Sequence, residues 1–104
     1  TVEAAIEAGK WAIGVDSDQY VTAGSPEAQG VILTSMLKRV DVAVFETIKA
    51  VQDGDTEGGI NVFDLSVDGV GYSTSGGYID EFVDQLEEIK AMIIAGDIEV
   101  PTAP

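Results

Sequence analysis

Two apolar runs early in the chain most restrict what it can fold into. Trp11-Ala12-Ile13-Gly14-Val15 ends on Asp16, and Val31-Ile32-Leu33-Thr34-Ser35-Met36-Leu37 ends on Lys38-Arg39. The first is apolar on successive residues, which marks a buried strand with a polar carboxyl end, and the second is a β-type run over 30–37. Val40, Val44, Ile48 and Val51 then recur at helical spacing, with Asp41 in the first turn and Gly54 just past the end. Beyond Gly58-Gly59, the sequence predicts a third strand over Ile60–Val67, a turn at Asp68-Gly69 and a short fourth strand at Val70-Gly71-Tyr72.

Helices close both ends of this series. Thr1–Lys10 has the small apolar spacing of a helix end, stopped by Gly9 and Lys10. Only about two turns of it are present, so its first turns are expected upstream. Near the other end, Ile79, Phe82, Val83, Leu86, Ile89 and Ile93 make an apolar stripe that Gly96 stops, while Asp84, Glu87, Glu88 and Lys90 are assigned to water. The tail Val100–Pro104 is not helical, and Ser17–Gln29 reads as a loop. Strands joined through a helix by modest loops imply a parallel pair with a right-handed crossover. The fold class is therefore α/β, a small sheet flanked by helices.

Composition narrows the chemistry. The 104 residues include no cysteine and no histidine, which removes disulfides, thiol nucleophiles, Ser–His triads and ordinary zinc sites together. The 19 acidic residues against 5 basic ones give a net charge of −14, so no nucleic-acid partner and no anionic lipid surface is expected. A solvated surface is the reading of that acid excess, with a cation site as the competitor. Trp11, Phe45, Phe63 and Phe82 lie in apolar runs and are assigned to core packing. Gly69-Val70-Gly71-Tyr72 and Ser75-Gly76-Gly77 lack the Gly-Lys-Ser/Thr of a phosphate loop and read as turns.

Ligands of open α/β sheets sit beyond the carboxyl ends of the strands, and two polar clusters lie there: Asp16-Ser17-Asp18 and Lys38-Arg39. A cation at Lys38, where a helix begins, faces the positive end of the helix dipole and calls for an acidic partner. Asp16 is the candidate, either as an internal ion pair or as half of an acceptor–donor pair offered to a hydroxylated ligand. Asp16 and Asp18 also match, weakly, the Asp-x-Asp of magnesium-dependent phosphoryl hydrolases. Tyr20 stands where that pattern expects a threonine.

Four blocks of the chain resemble the basic-membrane-protein family of ABC-importer solute-binding proteins. Trp11–Gln19 is similar to its Ile-Gly-Val-Asp-x-Asp-Gln segment, and Leu33–Asp41 to its Leu-Thr-Ser-hydrophobic-hydrophobic-Lys segment. Asp68-Gly69-Val70-Gly71 and Ile98-Glu99-Val100-Pro101-Thr102 match its last two signatures, in the family's order. The resemblance implies a type I periplasmic-binding fold of two α/β lobes. Residues 1–104 would be the carboxy-terminal segment of the second lobe, with a small, mostly parallel sheet and the other lobe absent.

In purine nucleoside receptors of that family, the residues matching Asp16 and Lys38 bind ribose hydroxyls. The resemblance thus implies a non-catalytic half-site for a small solute, a purine nucleoside in those receptors. It implies an ABC permease as partner, an extracytoplasmic lipoprotein setting and no cofactor. Purine-reading residues of those receptors come largely from the first lobe and from glycine-rich turns upstream, so nucleoside rather than another solute follows from the family alone. A magnesium-dependent hydrolase on Asp16 and Asp18, or a sensor or interaction module, is the alternative. The isolated segment is expected to be marginally stable or to bury exposed apolar surface by self-association.

Overall fold

Short-range signals account for most of the elements. The computed structural model describes residues 1–55 and 58–101. Helix α1 (Val2–Ala8) leads into strand β1 (Ala12–Asp16), then α2 (Gln19–Thr22), α3 (Pro26–Gln29), β2 (Ile32–Lys38), α4 (Val40–Asp53), β3 (Val70–Tyr72) and α5 (Val83–Ala95). Glycines in left-handed conformation cap α1, α4 and α5 at Gly9, Gly54 and Gly96, where a side chain would be strained. The last matched family block ends at residue 102, and residues 102–104 lie outside the described residues.

The sheet has three strands in the order β1-β2-β3. β1 and β2 pair in parallel, with Gly14 opposite Ser35 and Asp16 opposite Leu37, while β3 runs antiparallel to β2. The longer of the two pairings is the parallel one. A register shift between Ala12 and Ile13 leaves Leu33 as an extra residue on β2. That irregularity breaks the two-residue alternation of a strand. As a result the two buried positions of β2, Ile32 and Ser35, are three apart and share one face. The serine hydroxyl thus enters the interior.

Two expectations about secondary structure are corrected. The strand over Ile60–Val67 does not form: Ile60 is 95% exposed, and a single 3-10 turn, Leu65–Val67, stands at its end. Asp64 supplies the reason. Its carboxylate accepts from the Ser66 backbone N–H at 2.9 Å and the Ser66 hydroxyl at 2.6 Å, local bonds that compete with a strand ladder. The parallel pair is accordingly β1–β2, joined through α2 and α3, not a pair spanning α4. The second correction is the loop over Ser17–Gln29, which contains those two single-turn helices. Asp18 and Ser25 cap them through the backbone N–H groups of Tyr20 and Ala28, and Pro26 occupies the first turn of α3.

Packing is uneven. Ala5, Ala12, Ile32 and Ile79 form the buried apolar core, with Ser35 and Ser73 buried beside them. The stripe of α4 is open: Val40, Val44, Phe45, Ile48 and Val51 are all exposed, Phe45 at 63%. Of the four aromatic residues assigned to the core, Trp11 and Phe82 are exposed as well as Phe45, and Phe63 is half-buried. Trp11 instead packs on Tyr78, ring centroids 4.9 Å apart. Along α5, Val83, Leu86 and Ile93 are half-buried but Ile89 is exposed. Lys90, assigned to water, is half-buried and reaches Asp68 Oδ1 at 3.3 Å. The radius of gyration is 16.6 Å, against about 13 Å for a compact domain of this length.

Candidate functional site

The carboxyl ends of β1 and β2 bring Asp16 and Lys38 together. Parallel pairing sets Asp16 opposite Leu37, one residue before Lys38. The Lys38 ammonium lies 2.7 Å from Asp16 Oδ1, and both side chains are open to solvent, 54% and 68% exposed respectively. An exposed pair of this kind contributes little to stability, about 0–1 kcal/mol. Lys38 is the last residue of β2, and α4 begins at Val40 behind Arg39. Arg39 is thus the cation nearest the helix start. Asp41 answers it with two hydrogen bonds of 3.2 Å, to Nε and Nη2, and the pairing raises the guanidinium pKa and lowers that of the carboxyl.

Asp16 adopts φ 76, and the Ser17 backbone N–H donates to the Val15 carbonyl at 3.1 Å. A three-residue turn with positive φ at its centre is rare for a residue other than glycine and costs about 1–3 kcal/mol. It swings the Asp16 carboxylate out of the line of β1 and across the end of β2.

Asp18 does something different. Its Oδ1 accepts from the Tyr20 backbone N–H at 3.1 Å, while Oδ2 accepts from the Ser73 hydroxyl at 2.7 Å and the Ser75 hydroxyl at 2.5 Å. Burial alone would raise its pKa, but the bonds from Ser75, Ser73 and the Tyr20 and Val21 amides outweigh burial and lower it. Both oxygens are engaged in tying the chain together, which leaves Asp18 poorly placed to act as a free cation ligand. No cluster of three or more metal-ligating side chains occurs among the described residues.

Ser35 and Ser73 complete this corner. Ser35 Oγ accepts from the Gln19 backbone N–H at 3.0 Å, and Ser73 exchanges backbone and side-chain bonds with β2 through Ser35 O and Thr34 Oγ1. A Cβ at Gly14 would collide with Ser35 Oγ and the Gln19 side chain, so glycine is required there by the close approach of β2 and α2. An open concavity lies elsewhere, between α4 and residues 60–67, lined by Thr47, Ala50, Val51, Ile60, Val62 and Phe63. Its charged lining residues, Glu46 and Asp55, are both acidic.

Strand β1 ends on Asp16 and runs on into Ser17-Asp18-Gln19, beside β2, which ends Thr34-Ser35-Met36-Leu37-Lys38. A family model for the PnrA-like ABC transporter substrate-binding protein, Bmp, matches residues 2–103. The chain belongs to the Bmp family. A "CD4+ T-cell-stimulating antigen" of Listeria monocytogenes is 41% identical to this Bmp-family chain over 100 residues, and its Listeria innocua counterpart is equally similar. Those matches take in 90% of the chain but 28% of each relative. A crystal structure of an ABC transporter solute-binding protein from Aeropyrum pernix superposes with a TM-score of 0.57 and 28% identity, over 97% of this chain and 36% of that one. The Bmp-family chain thus spans about a third or less of the proteins it matches, and its α/β frame is that of a solute-binding protein.

Reading residues in sequence singled out Asp16 and Lys38 but not Gln19, Ser35, Ser73 and Ser75. Ser73 and Ser75 lie 55 and 57 residues from Asp18, a separation that local patterning does not span. The signal was the Ser-x-Ser directly after β3, which antiparallel pairing sets beside the middle of β2 at Ser35.

Proposed function

We propose that residues 1–104 form the end of the second lobe of a two-lobe, non-catalytic receptor that captures a small solute outside the cytoplasm and delivers it to an ABC permease. The solute class is a purine nucleoside, and Asp16 and Lys38 hold its ribose. A lipid anchor belongs to the same proposal on the strength of the family relationship alone.

One observation supports this above the rest: a carboxylate and an ammonium 2.7 Å apart, exposed, at the carboxyl ends of two parallel strands. A vicinal diol fits such a pair. Its hydroxyls donate to the carboxylate and accept from the ammonium, so each charge keeps a partner when the ion pair opens. Hydrogen bonds to charged groups contribute about 1.5–3 kcal/mol each.

The test uses the full-length protein and calorimetric titration with adenosine, guanosine and inosine, alongside melting curves. Asp16→Asn and Lys38→Met should each weaken nucleoside binding by about 10- to 100-fold, which is what the loss of one such bond corresponds to. Free purine base, which lacks the ribose, should bind poorly and respond little to either change. Unchanged nucleoside affinity in well-folded variants would exclude the two residues from the site.

A further inference from the structure

The Asp16 turn is a conformation that its own sequence disfavours, so something outside it must hold it. The described contacts supply three restraints. The Val15 carbonyl, already bonded to the Ser17 N–H, also accepts from Gln19 Nε2 at 3.1 Å. The Gln19 backbone N–H is fixed on Ser35 Oγ at 3.0 Å. Asp18, two residues beyond Asp16, is clamped by the Tyr20 N–H and the hydroxyls of Ser73 and Ser75. Ser75 in turn is locked: its backbone N–H donates to Ser73 Oγ at 3.0 Å.

We propose that Asp18, gripped by Ser73 and Ser75, is a positioning residue for solute binding, and that it acts through Asp16. This rests on the reading of Asp16 and Lys38 as the ribose-binding pair. Among the described residues the Asp16 side chain has no partner besides Lys38, whose own side chain is 54% exposed. The clamp therefore determines whether the carboxylate still faces the end of β2 when the ion pair opens. A preorganised acceptor binds tighter because ordering is not charged against each binding event. The segment after β3 becomes part of the site without touching the solute.

A double-mutant cycle in the full-length protein separates this role from general support of the fold, with inosine, guanosine and adenosine as probes. Asp18→Asn should weaken binding by about five- to tenfold, and the milder Ser75→Ala by a smaller factor, in line with coupling between directly connected residues. Introduced into Asp16→Asn protein, the same two changes should alter affinity by less than about twofold, because the group they position is gone. An equal loss in both backgrounds would show that Asp18 acts on the fold at large and would overturn the proposal. So would undiminished affinity in folded Asp18→Asn and Ser75→Ala proteins. The Asp16→Asn arm alone reports on the ribose site: no loss there removes the site reading and the positioning role together, whereas loss there with uncoupled Asp18 removes only the latter.

Discussion

The end of β1 and the limb formed by α4 with residues 58–67 hang on the same three strands, yet they are held by different forces. Around Asp18 the chain is crosslinked by short polar bonds between segments distant in sequence, and Ser35 is fully buried at 0% exposure. Along α4 the ordering is local: helical backbone bonds, a glycine cap and an apolar stripe that touches little. In one region long-range contacts specify the geometry of each residue. In the other the sequence specifies an element but not its partner. Functional groups are better placed on the first kind of region, because a carboxylate oriented by tertiary bonds keeps its aim when a neighbour moves.

The contrast is most easily broken at Gly14. Replacing it with alanine drives a methyl group into Ser35 Oγ and the Gln19 side chain, and overpacking of this kind costs about 1–3 kcal/mol. Urea or thermal melts of Gly14→Ala should show that loss, together with reduced nucleoside affinity if Gln19 is displaced from Val15 O. A melt matching the parent would mean that the corner is looser than its contacts imply.

Acid should act next. The Asp18 carboxyl has a lowered pKa in the folded chain, so its contribution is fully present above the unfolded value of about 3.9 and is lost as pH falls through the folded one. Melting temperature should fall below about pH 4, and Asp18→Asn should flatten that acid limb while lowering the plateau. An unchanged limb in the variant would assign acid sensitivity to other carboxylates.

The smallest effect is expected on α4. Ile48→Ser in this chain should change stability by no more than about 0.5 kcal/mol, as for a surface substitution. In a protein of the relatives' full length, a cost nearer 2 kcal/mol, about that of burying an aliphatic side chain, would show that the stripe is covered there. Equal costs in both would leave it solvent-facing throughout, and the comparison between the two regions would then hold for the whole protein.

Much of this was legible from the residues. Glycines at 9, 54 and 96 fixed where helices stop, and the apolar runs fixed β1 and β2, because these signals act over a single turn or strand. The Asp16–Lys38 meeting followed from parallel pairing and a cation awkwardly near a helix start. What failed depended on competition or distance. Ile60 and Val62 look like strand residues, but Asp64 and Ser66 satisfy the backbone locally and no ladder forms. The helix starts at Asp18 and Ser25 were readable, Ser25-Pro26 above all, yet turns this short give no periodicity. The extra residue at Leu33, which turns Ser35 inward, leaves no trace in composition. Lys90 was misplaced because its partner, Asp68, is 22 residues away.

The turn at Asp16 carries one more consequence, for substitution at the site. A backbone at φ 76 admits glycine freely and aspartate or asparagine with modest strain, but it strongly disfavours valine, isoleucine and threonine. The geometry of the main chain therefore filters the side chains open to position 16 before any ligand does. Retuning the proposed site toward a different solute has wide latitude at Lys38, which lies in strand β2, and very little at Asp16. Altered specificity in such a site should enter through the lysine's position first.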